Sequence, residues 1–145
     1  MILNISLTTV YCLDQTSTRD FYCRHLGFEP RVDATMGEFR WVTAAHRNQP
    51  ELEVTFMRPG PPLSPGAAAF VREQLESGQM GGLGLRVDSC RKTFEELTAV
   101  GVEFIQEPSD RPYGVEAVMR DNTGNWLTLV EPRSFTQDDL AGFSA

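Results

Sequence analysis

Three segments of the chain alternate apolar residues with side chains that could bind or activate a small molecule. Successive residues of a β-strand point to opposite faces of its sheet, so each segment predicts one apolar row and one mixed row. A carboxylate, a guanidinium, hydroxyls and an indole together are typical of a pocket lining. The three mixed rows are Glu53-Thr55-Met57, Gly82-Gly84-Arg86 and Trp126-Thr128-Val130.

Glu53 is the candidate catalytic residue, because a carboxylate in a pocket can act as a general base or as a hydrogen-bond acceptor. An ion pair with Arg86 or Arg40 is the alternative, and the sequence leaves both interpretations open. The apolar partners of the mixed rows support this orientation, since they predict the faces that pack on helices. Those partners are Leu52, Val54 and Phe56, then Leu83, Leu85 and Val87, then Leu127 and Leu129.

Further side chains are candidates for contact with a ligand. Two arginines could clamp an anionic group, and aromatic rings could stack on a flat one. Arginines in strands also often lie on a solvated rim, and strand aromatics often lie in the core. The full set of predicted ligand-binding residues is Thr9, Tyr11, Arg40, Thr55, Arg86, Trp126 and Thr128.

Other residues that could do chemistry have structural explanations. His25 lies near the end of a predicted helix and His46 lies in a polar loop, and neither has a second metal ligand in view. Asp121 begins the segment Asp-Asn-Thr-Gly-Asn, which is typical of a turn. The glycines before Arg86 lack the phosphate-loop pattern and predict instead a close approach to the strand.

The elements that must position these residues occur twice. Asp14 precedes a predicted helix that ends at Gly27, and Asp88 precedes one that ends at Gly101, thirteen residues later in both cases. A strand comes before each helix and three strands follow it. The pattern predicts an α+β protein built from two tandem βαβββ modules.

The predicted boundaries follow from turn and capping signals. Module one covers about 3–58, a connector helix with Ser64 as its N-cap covers about 64–78, and module two covers about 81–132. The polar stretch 45–50 and the Pro-flanked stretch 106–114 are predicted loops. Residues 1–135 form one predicted domain, and 136–145 are a low-signal tail.

The duplicated strings resemble the vicinal oxygen chelate superfamily, which includes glyoxalase I, bleomycin-resistance proteins and extradiol dioxygenases. The resemblance covers about 4–132 and rests on order more than on any single string. It implies that the curved sheets of the two modules enclose one cleft, usually within a homodimer. The strings are Asp14…Phe21-Tyr22…Leu26-Gly27-Phe28, Val87-Asp88-Ser89…Leu97…Gly101-Val102 and Arg120-Asp121…Gly124-Asn125.

The same resemblance implies a divalent metal in catalytic members, held by His, Gln or Glu side chains. Here the matching positions carry Leu7, Gly82 and Thr128, which cannot replace an imidazole or a carboxylate. Only Glu53 remains, so no metal or other cofactor is predicted. The predicted function is therefore binding of a small organic molecule, as in the bleomycin-resistance type.

Two enzymatic alternatives stay open. One is a metal-dependent lyase, isomerase or dioxygenase whose ligands lie at other positions, and the other is a metal-free enzyme that uses Glu53 as its base. Composition narrows the partners further: a net charge of −7 argues against nucleic acid, and no run is long enough to span a membrane. Three unpaired cysteines predict a cytoplasmic protein.

Overall fold

The computed structural model describes residues 1–143, in which eight strands and four helices alternate. The elements of module one are β1 (Leu7–Tyr11), α1 (Gln15–His25), β2 (Phe28–Met36), β3 (Phe39–His46) and β4 (Glu53–Met57). The connector is α2 (Pro65–Glu76). The remaining elements are β5 (Gly81–Arg86), α3 (Cys90–Ala99), β6 (Phe104–Arg111), β7 (Gly114–Arg120), β8 (Trp126–Pro132) and α4 (Gln137–Ala141).

The strands form two four-stranded mixed sheets with the same connectivity. The first sheet has the order β1-β4-β3-β2 and the second has the order β5-β8-β7-β6. In each sheet the strand before the helix pairs in parallel with the last strand, and the other pairs are antiparallel. The predicted α+β class with tandem βαβββ modules is confirmed.

The chain divides into two units by its internal contacts. The first unit contains residues 1–80 together with 121–125, and the second contains 81–120 together with the chain from 126 onward. The loop between β7 and β8 is thus grouped with the first unit, although both flanking strands belong to the second.

The core of the first unit forms where α1 packs on one face of its sheet. The Tyr22 ring lies with its centroid 5.0 Å from that of Phe56 and 5.5 Å from that of Phe28. Val42 and Val54 are buried on the same face. The predicted orientation of β4 is therefore correct, with Val54 and Phe56 toward the helix.

The core of the second unit repeats this arrangement around α3. Leu127 and Leu129 are buried on the face of β8 that carries the apolar row, and Met119 of β7 is buried as well. The rings of Phe94 in α3 and Phe104 in β6 meet edge to face at 4.8 Å between centroids.

The structure corrects the alignment of the two repeats by one residue. Cys12 N–H donates to the Met57 carbonyl and Val87 N–H donates to the Val130 carbonyl, so Cys12 corresponds to Val87. By this register Asp14 corresponds to Ser89, and these two residues are the N-caps of α1 and α3. The equal thirteen-residue spacings arise because α3 is one residue shorter than α1.

Two predicted loops are shorter in the structure than expected, because strands extend into them. β3 continues to His46, and β6 runs through Pro108 to Arg111. Pro108 is tolerated because β6 is an edge strand and its pairing shifts register between Gln106 and Ser109. A proline that cannot donate a hydrogen bond fits such a bulge at a sheet edge.

The connector helix and the tail complete the fold. Ser64 Oγ accepts from Ala67 N–H at 3.2 Å, which confirms the predicted N-cap of α2. The sequence predicts an apolar stripe of Ala67, Phe70, Val71 and Leu75 on α2. This prediction is partly wrong, because Phe70 is 60% exposed whereas Ala68 is buried. In the tail, Phe135 and Phe143 lie against the ring of Tyr113. No helix in the described part of the chain is long and apolar enough to cross a membrane.

Candidate functional site

The face of the first sheet that points away from α1 carries a chain of hydrogen bonds. Thr43 Oγ1 donates to Glu53 Oε1 at 2.7 Å and accepts from Val32 N–H at 3.1 Å, while Thr55 Oγ1 donates to the Val42 carbonyl at 3.3 Å. Thr43 and Thr55 are only 1% and 2% exposed. The polar groups of this face thus satisfy one another within the first unit.

The remaining predicted residues of the first sheet differ in their placement. Thr9 pairs with Thr55 and Tyr11 pairs with Met57 across the β1–β4 ladder; Thr9 is exposed and Tyr11 is half-buried. Trp41 also lies on this face, with its ring 6.0 Å from that of Phe39. Thr9, Tyr11, Glu53 and Thr55 therefore share one face.

Arg40 does not join them. Arg40 lies two residues before Val42 in β3, so both point to the α1 side of the sheet. The Arg40 guanidinium forms two hydrogen bonds of 2.9 Å with the Asp33 carboxylate. A third nitrogen donates to Thr16 Oγ1 at 2.8 Å. The hydrogen bonds from Arg40 lower the pKa of Asp33, so this ion pair is fully charged at neutral pH. Arg40, which the sequence suggested could bind an anionic ligand group, therefore binds an acidic residue of the first unit.

The uncovered face of the second sheet gathers three predicted ligand residues. Gly84 pairs with Thr128 and Arg86 pairs with Val130, which places Arg86, Thr128 and Trp126 on the face opposite the buried Leu127 and Leu129. Gly84, Arg86, Thr128, Val130 and Pro132 line a depression of about 220 Å³ on this face.

The side chains of this second face remain available. Trp126 is 42% exposed, and Arg86 is exposed and forms no ion pair or side-chain hydrogen bond with any residue from 1 to 143. Gly81 explains how the indole is seated: a Cβ there would lie 2.6 Å from Trp126 Cζ2. The close approach predicted for the glycine-rich strand is thus made by the Trp126 ring.

A polar cluster that sequence reasoning missed lies at the edge of this face. Glu116 pairs with Val130, and its carboxylate accepts from Tyr113 Oη at 2.8 Å. Arg111 lies 3.7 Å from the same carboxylate and donates to Gln106 Oε1 at 3.3 Å. Strand alternation could have placed Glu116 on this face. Val118 pairs with Thr128, and Glu116 lies two residues before Val118 in the same strand, so it points to the same side.

Asp121 has a structural role, in line with its predicted turn chemistry. Its Oδ1 accepts from the backbone N–H groups of Thr123, Gly124 and Asn125 at 2.9–3.0 Å. Its Oδ2 accepts from Tyr22 Oη at 2.8 Å and from Asn125 Nδ2 at 3.0 Å. Burial and the nearby carboxylate raise the pKa of Tyr22, so the phenol stays protonated and keeps donating.

The residues present do not fit the metal that the resemblance implies. In the first sheet Leu7 pairs with Glu53, whose carboxylate is already bound by Thr43. In the second unit Gly82 and Thr128 offer one hydroxyl between them. Within residues 1–143 no three His, Cys, Asp or Glu side chains are grouped so that they could hold a metal ion.

The remaining reactive side chains are also engaged or buried. The His25 ring lies against Phe21 and the His46 ring against Phe28. Burial raises the pKa of the Cys12 thiol to about 12, which keeps it protonated at neutral pH. A thiolate is the nucleophilic form of cysteine, so Cys12 is unsuited to covalent catalysis.

Comparison with known proteins identifies related sequences and structures. The family model for the Glyoxalase/Bleomycin resistance protein/Dioxygenase superfamily matches residues 4–129. The protein YurT of Bacillus subtilis (strain 168) is 26% identical over 129 residues, which cover 89% of this chain and 99% of YurT.

Two solved structures are similar over nearly their whole length. UcmS2 is 41% identical with a TM-score of 0.81, covering 90% of this chain and 99% of its own. TnmS3, described as an antibiotic binding protein from Streptomyces sp. CB03234, is 26% identical with a TM-score of 0.72 and covers 91% and 98%.

Proposed function

The chain belongs to the Glyoxalase/Bleomycin resistance protein/Dioxygenase superfamily, and from this premise we propose that it binds a small organic molecule without a metal ion. The observation that carries the proposal is the uncovered face of the second sheet. There Trp126, Thr128 and Arg86 point to the same side of the sheet, and Arg86 has no charged partner among the described residues. An unpaired guanidinium and an exposed indole on one face of a sheet suit a ligand with an aromatic plane and an anionic group.

The similarity to TnmS3 supports an antibiotic-type natural product as the ligand class. That protein is described as antibiotic binding, and its structure resembles this chain with a TM-score of 0.72. A compound that carries an aromatic ring system and an acidic group would match the side chains of the second face. In this proposal Trp126 stacks on the ring system, Arg86 binds the acidic group and Thr128 donates or accepts one hydrogen bond.

Glu53 receives less support as a catalytic base. Thr43 Oγ1 donates to Glu53 Oε1 at 2.7 Å, so one of the two carboxylate oxygens is used in a contact within the sheet. Thr43 is buried and in turn accepts from Val32 N–H, so the carboxylate is fixed within its sheet. We therefore propose that Glu53, Thr55, Thr9 and Tyr11 shape the first face. The side chains that bind the ligand are those of the second face.

The proposal includes a cytoplasmic homodimer. Residues 1–6 before β1 are exposed, with Ile2 93% exposed and Leu3 and Ile5 also exposed, and β1 is an edge strand. Apolar side chains beside an open strand edge are commonly covered by a second copy of the chain. Sedimentation equilibrium should give about twice the chain mass of 16.2 kDa, and a monomer at micromolar concentration would contradict the dimer.

Native mass spectrometry tests the function directly. The purified protein is mixed with a panel of aromatic antibiotics, half of them anionic and half of them neutral analogues. We expect anionic compounds to bind at one per chain and Arg86→Gln to remove the preference for anions. Equal binding of both halves to wild type and to Arg86→Gln would contradict the role of the second face.

A further inference from the structure

Strands β3 and β4 separate at one end of the first sheet. Their pairing ends at Thr43 and Thr55, although β3 begins at Phe39 and β4 continues to Met57. The first residue of α1 sits at this point: Gln15 Nε2 donates to the Arg40 carbonyl of β3 and to the Phe56 carbonyl of β4, each at 2.9 Å. The side-chain amide thus replaces the missing ladder hydrogen bonds.

The other end of the same amide has no partner. Gln15 is only 8% exposed, and both of its N–H groups are used, which fixes the direction of its oxygen. No described residue donates to Gln15 Oε1, and this atom is not sealed from solvent. Gln15 lines a cavity of about 420 Å³, which we call the fork cavity. A fixed acceptor on a buried side chain is a ready partner for a ligand N–H.

The lining of the fork cavity supplies charges of both signs and an apolar surface. Arg58 and Glu38 are exposed, and neither forms an ion pair with a described residue, whereas Arg40 is held by Asp33 and Thr16. Phe39 and Met57 provide apolar surface on the same cavity. A volume of this size is enough for a small organic ligand.

We infer that the fork cavity is a second binding site, which takes a small zwitterion of the amino-acid type with an aromatic or apolar side chain. The ligand ammonium donates to Gln15 Oε1 and pairs with Glu38, the carboxylate binds Arg58, and the side chain packs on Phe39 and Met57. This site is separate from the proposed function, because every residue in it belongs to the first unit and none lies on the second sheet.

A titration with L-phenylalanine tests the site. The readout is the ¹H–¹⁵N spectrum, in which the Gln15 side-chain NH₂ reports directly on the amide that faces the cavity. We expect a saturable shift with a dissociation constant of about 1 mM, in keeping with a ligand of this size. Phenethylamine lacks the carboxylate and 3-phenylpropanoate lacks the ammonium, so each should bind about tenfold more weakly.

Two exposed residues provide variants that leave the fold intact. Arg58→Gln should reduce phenylalanine to the affinity of phenethylamine, and Phe39→Ala should weaken all three compounds about threefold to tenfold. Arg72→Gln, at an exposed arginine of α2 that does not line the cavity, is the matched control and should leave the affinity for phenylalanine unchanged. The inference is overturned if no saturable shift appears at Gln15 up to about 20 mM, or if Arg58→Gln leaves the affinity for phenylalanine unchanged.

Discussion

The faces of the two sheets that point away from the helices are built at equivalent positions from different side chains. Thr55 and Thr128 correspond to each other, and Glu53 in the first sheet corresponds to Trp126 in the second. In the first sheet Thr43 binds Glu53, and Thr55 is almost fully buried. In the second sheet the indole is 42% exposed.

This difference indicates how a duplicated scaffold can divide its roles. Polar groups that bind one another stabilise a sheet, and a ligand must break those bonds before it can use the groups. Exposed groups without partners meet a ligand with no such loss. We therefore propose that the first face acts as structure and the second as the binding surface, and the following experiments are designed to break or sharpen this contrast.

Removing the carboxylate of Asp121 should have the largest effect. Asp121→Ala deletes acceptors for three backbone N–H groups, for Tyr22 and for Asn125. Because several buried donors lose their partner, we expect the free energy of unfolding in urea to fall by about 3–5 kcal/mol. Tyr22→Phe removes only one of these hydrogen bonds and should lower it by about 1 kcal/mol. Equal effects of the two changes would show that the carboxylate does not organise this loop.

The equivalent positions on the two faces should respond differently in binding. Trp126→Ala should weaken an antibiotic found by native mass spectrometry by about 1–3 kcal/mol, because a stacking surface is lost. Glu53→Gln should change the affinity less than about threefold, since its carboxylate is used within the first sheet. Isothermal titration calorimetry measures both.

The variant Glu53→Gln also separates binding from catalysis. If Glu53 were a general base, Glu53→Gln would keep the affinity and lower turnover by about a hundredfold or more. Any such loss with a candidate dicarbonyl or catechol substrate would contradict the division of roles between the two faces.

The seating of Trp126 can be tested by filling the space at Gly81. Gly81→Ala places a methyl group against the indole, at 2.6 Å in the unrelaxed geometry, so the ring must move. We expect a shift in the Trp126 emission maximum and a loss of about 1–2 kcal/mol in stability from overpacking. In Gly66→Ala the new methyl group meets nothing within 4 Å, and this variant should be neutral or slightly stabilising. If both variants behave alike, the contact with Gly81 does not hold the ring.

The smallest effects should come from the helix caps. Asp14→Ala and Ser89→Ala each remove the acceptor for an N–H of the first helical turn and should cost about 1 kcal/mol. Asp88→Ala should cost less than about 0.5 kcal/mol, because within residues 1–143 its carboxylate accepts only from Ser89 N–H, outside the helix. A large effect of Asp88→Ala would indicate that Asp88, and not Ser89, is the equivalent of Asp14.

Strand alternation and helix caps made most of the fold predictable. Val54 and Phe56 pack toward α1 as their alternation with Glu53 predicts, and Gly27 and Gly101 follow the helices with φ of 79° and 90°. These signals are local: they depend only on which face a residue occupies and on the freedom of glycine at positive φ.

Features that depend on distant partners were harder to predict. The equal spacing from Asp14 and from Asp88 concealed a one-residue shift, which only the hydrogen bonds of the strands reveal. Pro108 indicates a loop by its type, but an edge strand with a bulge accepts it. Phe70 fits the apolar stripe of α2, and whether it is covered depends on its neighbours.

The candidate site was predictable where it depends on strand alternation. The rows that contain Trp126, Thr128 and Arg86 follow from alternation, and so does the shared face of Glu53 and Thr55. Alternation from Val42 could also have placed Arg40 on the α1 side. Its pairing with Asp33 could not have been foreseen, because the two residues meet only when β2 and β3 form their hairpin.

The two tryptophans allow the central claim to be tested most directly. Trp41→Phe leaves Trp126 as the only tryptophan, on the second sheet, and Trp126→Phe leaves Trp41 on the first. Each protein is titrated with an antibiotic that native mass spectrometry shows to bind at one per chain, and its tryptophan emission is followed. The account predicts saturable quenching in Trp41→Phe with wild-type affinity, and weakened binding with little change of emission in Trp126→Phe. Quenching of Trp41 at wild-type affinity, with an unchanged signal from Trp126, would contradict it.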